Sequence, residues 1–174
     1  MSANPAESQN EMALSAPEQL TEKHDVSEFE SGQPLIDEYL KKRALVAQIQ
    51  KLAIVYVVCF HGTNKVAGYY TLSNGSLPRA GIVPKKLQRN TPDFHPVTIL
   101  GRMGITLAVQ GQGYAVDLLH DAMLRAVIAS ETVASSAVVV HPLTERLEQF
   151  YAKHAGFQRS PDLSPMTMMV SLRR

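Results

Sequence analysis

A short glycine-containing segment limits most strongly what this 174-residue chain can fold into. Gln110-Gly111-Gln112-Gly113-Tyr114-Ala115 separates a strand-like run, 97–109, from a run over 116–128 whose apolar residues recur at helical spacing. Glycine adopts backbone conformations that other residues avoid, and it lets a ligand approach the main chain closely. The first amides of a helix have no partners inside it and favour an anion. The segment is therefore either an ordinary turn into a helix or an anion-binding loop, and the glycines alone leave both interpretations open.

The order of the remaining patterns predicts a mixed α/β or α+β sheet, because strand-like and helical segments alternate. Ser31 is a candidate cap for a first helix that runs to about Gln50. A polar excursion, a short helix opened by Pro84 and a helix ending at Gly156 follow. The predicted elements after the first helix are a hairpin over 54–60 and 66–72, the excursion over 78–96 with its helix at 84–89, a strand at 97–109, the helix from 116, a strand at 136–140, a helix at 143–155 and a strand at 166–172.

Charge is distributed unevenly along the chain. Residues 1–30 hold seven acidic side chains against Lys23, a net charge of −6. Because the whole chain has a net charge of +1, the residues after 30 carry a net charge of +7. Residues 1–19 are rich in Ser, Ala, Pro, Glu and Asn and show no sustained period, which predicts a mobile acidic tail before a single domain over 20–174. A basic body is compatible with a polyanionic partner.

Several classes of protein are disfavoured by composition and motif. No apolar run approaches the ~20 residues that cross a bilayer, and the N-terminus lacks the pattern of a signal peptide, so we expect a soluble, cytoplasmic protein. Cys59 is the one cysteine and lies in an apolar run, which predicts a buried thiol. No Cys and His cluster has zinc-ligand spacing, so no metal is expected. Neither a Walker A lysine nor a G-x-G-x-x-G fingerprint is present.

A second candidate site is Phe150-Tyr151, in a short predicted helix that ends at Gly156. Tyr151 is either a packed aromatic or a general acid, because a phenol of pKa about 10 can deliver a proton to a leaving thiolate. The sequence pattern alone does not decide between these roles.

Seven short stretches, in order over about residues 20–172, resemble the GNAT N-acetyltransferases, and more closely the toxin branch found in bacterial type II toxin-antitoxin modules. Their order is more specific than any one of them. They are His24-Asp25-Val26 with Phe29 and Ser31-Gly32, Gly68-Tyr69-Tyr70, Leu100-Gly101-Arg102-Met103, Gln110-Gly111-Gln112-Gly113, Asp117-Leu118-Leu119 with Asp121-Ala122, Phe150-Tyr151 with Gly156-Phe157, and Pro165-Met166-Thr167-Met168-Met169.

This resemblance implies a GNAT fold with a V-shaped central sheet and an acetyl-CoA site. The pantetheine arm would lie along the strand holding Met103 and Ile105, where a backbone N–H near Ile105 polarises the thioester carbonyl. The pyrophosphate would rest on the amides of 112–115. Tyr151 matches the family's catalytic tyrosine, which protonates the CoA thiolate during direct transfer. The residues expected at the cofactor are Met103, Gly104, Ile105, Gln110, Gly111, Gln112, Gly113, Tyr114, Ala115, His141 and Phe150. For His141 the alternatives are a cofactor or substrate contact and a plain strand-end residue.

Toxins of this branch acetylate the α-amino group of an amino acid esterified to tRNA, which stops translation, and the basic body suits such a substrate. If Pro84 opens a helix, three of the basic candidates share one face. The candidate tRNA-binding residues are Lys41, Lys42, Arg43, Arg79, Lys85, Lys86 and Arg89. The resemblance further implies a ribbon-helix-helix antitoxin, operator DNA bound through that antitoxin, and a homodimer. The alternatives are an acetyltransferase of a small amine or protein lysine, and a DNA-binding co-repressor.

Three positions depart from the pattern of the branch. Ala115 replaces the usual glycine, which the wider superfamily pattern also allows. Gly104 is expected to loosen its strand. Thr106 stands where an acidic residue is usual, which puts one local contact in doubt.

Overall fold

The computed structural model describes residues 13–173, in which seven strands form one mixed sheet. The strand order is β1-β2-β3-β4-β5-β7-β6; β4 and β5 are parallel, whereas β5 and β6 both pair antiparallel with β7. The predicted mixed α/β sheet is therefore confirmed. In chain order the elements are β1 (Glu18–Gln19), α1 (Pro34–Lys42), α2 (Ala44–Ile49), β2 (Ile54–Cys59), β3 (Val66–Pro78), β4 (Phe94–Ile105), α3 (Tyr114–Ser130), β5 (Ala137–Val140), α4 (Glu145–Ala155), β6 (Gln158–Ser160) and β7 (Thr167–Ser171).

The described residues form two compact units, the first reaching to Thr71 and including 102–118. Its core is built from the inward faces of α1, α2, β2 and β3, since every second residue of β2 (Val55, Val57 and Cys59) faces it and the helices carry their apolar residues on one side. Cys59 is buried in this core, as its apolar surroundings predicted. The core residues are Leu20, Phe29, Tyr39, Leu40, Ala44, Val55, Val57, Cys59, Val66 and Tyr69.

Within the described residues, the second unit contains 72–101 and 119–173. Its core joins Val97 of β4, Val139 of β5 and Met169 of β7 with Ile82 from the excursion. β5 is buried along its whole length, which explains its uninterrupted apolar sequence. None of the helices in the described part of the chain is long and apolar enough to span a bilayer.

The segment before residue 20 differs from the mobile tail that its composition predicted. β1 pairs antiparallel with β2, Ser15 donates its N–H to the Cys59 carbonyl at 2.8 Å, and the Cys59 N–H donates to Ser15 Oγ at 2.9 Å. These hydrogen bonds order a segment that has no apolar period of its own. Residues 1–12 of the predicted tail lie outside the described residues.

The first predicted helix is divided in two, and Ser31 does not cap it. Arg43 has φ −126° and ψ −31°, which is not helical, and it separates α1 from α2. α1 begins at Pro34, whose fixed φ suits the first turn, after Gln33. Ser31 instead donates its hydroxyl to the Asp37 carboxylate and accepts the Gln33 N–H at 3.2 Å, so it closes the loop that leads into α1.

Three other elements differ from the predicted ones, and the first is the hairpin strand expected at 66–72, which runs to Pro78. The strand expected at 97–109 ends at Ile105, and Leu107–Val109 is a 3₁₀ turn. The helix expected at 84–89 is a 3₁₀ turn over Lys85–Gln88 that Arg89 leaves with φ −63° and ψ 131°. The predicted sharing of one face by Lys85, Lys86 and Arg89 is therefore wrong, because only Lys85 and Lys86 belong to the turn and they are adjacent.

Candidate active site

The glycine segment has the backbone that its sequence required. Gly111 has φ +79° and Gly113 has φ +86°, a left-handed region that costs other residues about 1–2 kcal/mol. A β-carbon built on either glycine meets no heavy atom within 4 Å, so the requirement is conformational and the space beside the turn is open. α3 begins directly afterwards at Tyr114 and runs for 17 residues. Main-chain amides at the start of a long helix thus adjoin open space, which is the geometry of an anion site.

Gln110 ties this turn to two other segments. Its Nε2 donates to the carbonyl of Ser31 and to the carbonyl of Ile105, both at 2.8 Å. Both N–H groups of the side-chain amide therefore bind main-chain carbonyls. Gln110 fixes where the turn lies with respect to the end of β4 and the start of the α1 loop.

Gly104 tightens the packing of its strand, contrary to the expected loosening. A β-carbon there would lie 2.6 Å from Cγ2 of Ile36 and 3.6 Å from Cζ of Phe29. The absence of a side chain lets α1 approach β4 this closely. On the other face of the strand Met103 is half-buried and Ile105 is buried.

Thr106, which stands where an acidic residue is usual in the branch, makes a local contact with the main chain of Glu30. Its hydroxyl accepts the Glu30 N–H at 3.0 Å and donates to the Glu30 carbonyl at 3.1 Å. The amide of Leu107 donates to the same carbonyl at 2.8 Å. A buried threonine therefore holds the α1 loop against the end of β4, with no charge needed.

Tyr151 is in the second unit, on the buried face of α4. Thr144 caps that helix by accepting the Leu147 N–H, and Gly156 ends it with φ +71°, as the sequence predicted. The ring packs edge-on against Phe150 at 5.4 Å and Phe157 at 5.5 Å between centroids.

The Tyr151 phenol carries its proton at neutral pH, and burial raises its pKa from 10.0 to about 12. Among residues 13–173 the Tyr151 hydroxyl has no hydrogen-bond partner. In the same range, every side-chain nitrogen or oxygen that is fully buried has a hydrogen-bond partner. The hydroxyl is therefore accessible to solvent although the ring is 8% exposed. A protonated, accessible and unshared phenol is suited to act as a general acid.

Phe150 and His141 are also in the second unit. Phe150 is half-buried, and its ring lies 5.1 Å from that of His154. His141 follows β5 directly and is exposed; its Nδ1 is 3.2 Å from Thr167 Oγ1. The structure thus places His141 at a strand end, where both of its proposed roles remain open to test.

The basic candidates are all exposed, but two are partly neutralised. Arg79 lies 3.3 Å from Asp93 and donates to the Thr91 carbonyl, and Lys42 lies 3.4 Å from Glu38. Lys41, Lys42 and Arg43 are at the end of α1 in the first unit. Arg79, Lys85, Lys86 and Arg89 belong to the excursion in the second unit.

Arg102 is a residue to which the sequence patterns assigned no role. It was part of the Leu100–Met103 stretch that resembles the family, but a lone arginine in a strand gives no signal of its own. In the structure its guanidinium carbon lies 3.9 Å from the centroid of the Tyr39 ring. An exposed cation is thus held beside the residues that precede Ile105.

Glu18, His24 and Cys59 come together with their ligand-type atoms within 4.8 Å of one another. His24 Nδ1 accepts the Thr21 N–H at 2.9 Å, which puts the ring proton on Nε2, 2.8 Å from Glu18 Oε1. Burial, with a smaller effect of Glu18, raises the pKa of the Cys59 thiol to about 11. A protonated ring nitrogen and a protonated thiol are unsuited to a metal.

Comparison with known proteins gives clear relatives, although no family model matches the chain. A protein named tRNA-acetylating toxin from Mycobacterium tuberculosis is 36% identical over 159 residues, which cover 91% of this chain and 93% of the relative. The solved structure of AtaT complexed with acetyl-methionyl-tRNAfMet superposes with a TM-score of 0.84 at 28% identity, covering 91% of this chain and 95% of that one. A tyrosine-to-phenylalanine mutant of KacT gives 0.84 at 25% identity with the same coverage.

Three further solved structures of these two toxins contain other molecules. One is AtaTR bound with acetyl-CoA, with a TM-score of 0.78, 28% identity and coverage of 91% and 94%. Another is an AtaT mutant bound to the C-terminus of the antitoxin AtaR, with a TM-score of 0.77, 26% identity and coverage of 91% of this chain and 93% of that one. The third is the KacTA–DNA complex, with a TM-score of 0.76, 25% identity and coverage of 92% of this chain and 94% of that one.

Proposed function

The chain belongs to the tRNA-acetylating toxins, which are GNAT-type N-acetyltransferases, and from this premise we propose that it transfers the acetyl group of acetyl-CoA to the α-amino group of an amino acid esterified to tRNA. The observation that carries the proposal is the 36% identity with a tRNA-acetylating toxin over 91% of the chain. The left-handed glycine turn at the start of α3 supports it independently.

The residues around the glycine turn fit acetyl-CoA, which supplies the acetyl thioester. The amides of 112–115 bind the pyrophosphate, since Gly111 and Gly113 leave open space at the start of α3. Gln110 positions this turn through its two carbonyl contacts. Met103 and Ile105 line the path of the pantetheine arm, and an N–H near Ile105 polarises the thioester carbonyl.

Tyr151 is the general acid. A phenol holds its proton at Oη at physiological pH, and burial raises the pKa of this one further; Tyr151 delivers that proton to the sulfur as the thioester bond breaks. Phe150 and Phe157 fix the ring through edge contacts. The neutral amine of the aminoacyl group attacks the acetyl carbon and releases a proton to solvent as the C–S bond breaks, so the acetyl group passes directly and the protein forms no covalent bond with it.

The charge beyond residue 30, net +7, binds the phosphates of tRNA through counterion release. Unpaired exposed cations contribute most to this term, because Lys42 and Arg79 already have carboxylate neighbours. The expected contributors are Lys41, Arg43, Lys85, Lys86 and Arg89, with Lys42 and Arg79 secondary. A protein with this substrate acts in the cytoplasm, where charged tRNA is found.

The partners of this toxin follow from its relatives. AtaT binds the C-terminus of the antitoxin AtaR, and KacTA binds DNA. We therefore expect a cognate antitoxin of ribbon-helix-helix type that neutralises this chain and carries the complex to operator DNA. A homodimer is the expected assembly.

Incubation of the purified protein with labelled acetyl-CoA and a set of aminoacyl-tRNAs tests the activity directly. Label should appear on aminoacyl-tRNA and stay absent from deacylated tRNA and from tRNA whose amino acid carries a formyl group on its α-nitrogen. Label on free amines or protein lysines, with none on charged tRNA, would favour the small-amine or lysine acetyltransferase. Transfer to no amine would favour the co-repressor instead.

A further inference from the structure

Arg102 of β4 rests on an aromatic platform in the first unit. Its guanidinium carbon is 3.9 Å from the centroid of Tyr39, a residue of α1 whose side chain is buried. Tyr39 in turn stacks on Tyr69 at 6.5 Å and 14°, and Tyr69 donates its hydroxyl to the Ile36 carbonyl at 2.6 Å. The platform is thus anchored to the core, and the exposed cation lies over its outer member.

The guanidinium of Arg102 has unused hydrogen-bonding capacity. Over residues 13–173 it makes no ion pair and donates no side-chain hydrogen bond; its backbone N–H donates to Thr71 Oγ1 at 3.1 Å. Arg125, by contrast, lies 2.9 Å from Asp121. An aromatic face holds a guanidinium in place without neutralising it, so the charge and the N–H donors stay available to an oxyanion such as phosphate.

Arg102 lies on β4, the strand along which the acetyl donor is proposed to bind. Residues 102 and 104 face α1, because Arg102 lies over Tyr39 and a β-carbon on Gly104 would meet Ile36. Met103 and Ile105 alternate to the other face of β4. The helix that carries Tyr39 ends in Lys41 and Lys42, followed by Arg43, so Arg102 extends this basic group onto the strand that is the proposed seat of the acetyl donor.

We propose that Arg102, held by Tyr39, binds a backbone phosphate near the aminoacylated end of tRNA and so positions the amino acid for transfer. This inference rests on the proposed function. An arginine over an aromatic ring loses little conformational freedom on binding, and therefore contributes more affinity than a mobile surface lysine. Acetyl-CoA also carries phosphates, and the test must distinguish the two sources.

The test compares Arg102→Gln with Arg159→Gln, which changes the net charge by the same amount at an exposed arginine of β6 outside the proposed site, although Arg159 lies 3.9 Å from Glu148 whereas Arg102 has no carboxylate neighbour among residues 13–173. Affinity for deacylated tRNA is measured without acetyl-CoA at several salt concentrations. Arg102→Gln should weaken binding about tenfold and reduce the salt dependence by about one phosphate contact, whereas Arg159→Gln should leave both near the wild-type values. Arg102→Lys, which keeps the charge but not the planar fork, should fall between wild type and Arg102→Gln.

Steady-state kinetics completes the test. For Arg102→Gln the KM for aminoacyl-tRNA should rise while the KM for acetyl-CoA stays unchanged. A rise confined to acetyl-CoA would assign the contact to the cofactor and overturn the inference, as would tRNA affinity equal to that of Arg159→Gln. The proposed function fails separately, if the wild-type protein labels no aminoacyl-tRNA; the affinity of the variants for deacylated tRNA then still decides the role of Arg102.

Discussion

The Cγ2 methyl of Ile36 lies 2.6 Å from the point where a β-carbon on Gly104 would stand. This methyl is on a β-branched side chain of a packed helix and has little freedom to move. Gly104→Ala should therefore lower the free energy of unfolding by about 1–3 kcal/mol, measured by urea denaturation. In an Ile36→Ala background the same change should cost less, because the obstructing methyl is gone. Without the clash, alanine in a strand would stabilise the protein, so a stabilised single variant would contradict the packing argument.

Gly113 and Gly62 allow conformational cost to be separated from ligand binding. Both have positive φ, +86° and +74°, and neither has a neighbour within 4 Å of its β-carbon position. Alanine at either should cost about 1–2 kcal/mol of stability. Only Gly113→Ala should also weaken acetyl-CoA binding, measured by calorimetry, because it reorients amides at the start of α3. Equal acetyl-CoA affinity of the two variants would show that the turn does not bind the cofactor.

Tyr151→Phe removes the proposed acid and keeps the ring. The transfer rate should fall about 10²- to 10⁴-fold in single-turnover assays. Acetyl-CoA affinity and the melting temperature should stay near the wild-type values, because the hydroxyl has no hydrogen-bond partner within the described residues. A variant that transfers acetyl groups at the wild-type rate would exclude this role.

The same substitution should change stability at alkaline pH. The unfolded phenol ionises near 10.0, whereas burial keeps the folded phenol neutral to about 12. The stability that this burial provides is complete below pH 10 and is lost between 10 and 12, by up to about 1.4 kcal/mol per pH unit. In denaturation experiments between pH 10 and 12, the free energy of unfolding of Tyr151→Phe should decline less steeply with pH than that of the wild type. Cys59 contributes in the same direction to both proteins, so parallel curves would argue against a shifted Tyr151.

Gln110 and Gln48 make similar bridges in the first unit. Gln110 donates to the carbonyls of Ser31 and Ile105, and Gln48 joins the Leu20 carbonyl to the Val55 N–H. Alanine at either leaves main-chain groups without a partner and should cost about 1–3 kcal/mol. Gln110→Ala should in addition raise the KM for acetyl-CoA, since it frees the glycine turn; an unchanged KM would limit Gln110 to a stabilising role.

The elements with strong periodicity were predictable, and the missed ones have little or none. β2, β3, α3 and α4 follow from β-branched runs or apolar residues at helical spacing. β1 and β6 contain only polar residues, Glu18–Gln19 and Gln158–Ser160, and exist because a neighbouring strand supplies their hydrogen bonds. No local propensity reports such pairing.

At the candidate site, the sequence predicted conformation better than contact. Positive φ at Gly111, Gly113 and Gly156 follows from residue type and position. The roles of Gly104 and Arg102 depend on Ile36 and Tyr39, more than 60 residues earlier in the chain, and pairings at that separation cannot be read from one sequence.

The pairing of residues 13–19 with β2 affects how the acidic N-terminus can be removed. A deletion through residue 19 strips β2 of its hydrogen-bonding neighbour and leaves a row of main-chain donors and acceptors open to other chains, a recognised cause of aggregation. Loss of activity after such a deletion would then report self-association rather than an effect of charge. Shortening the chain no further than residue 12 removes Glu7 and Glu11 while the sheet keeps its border.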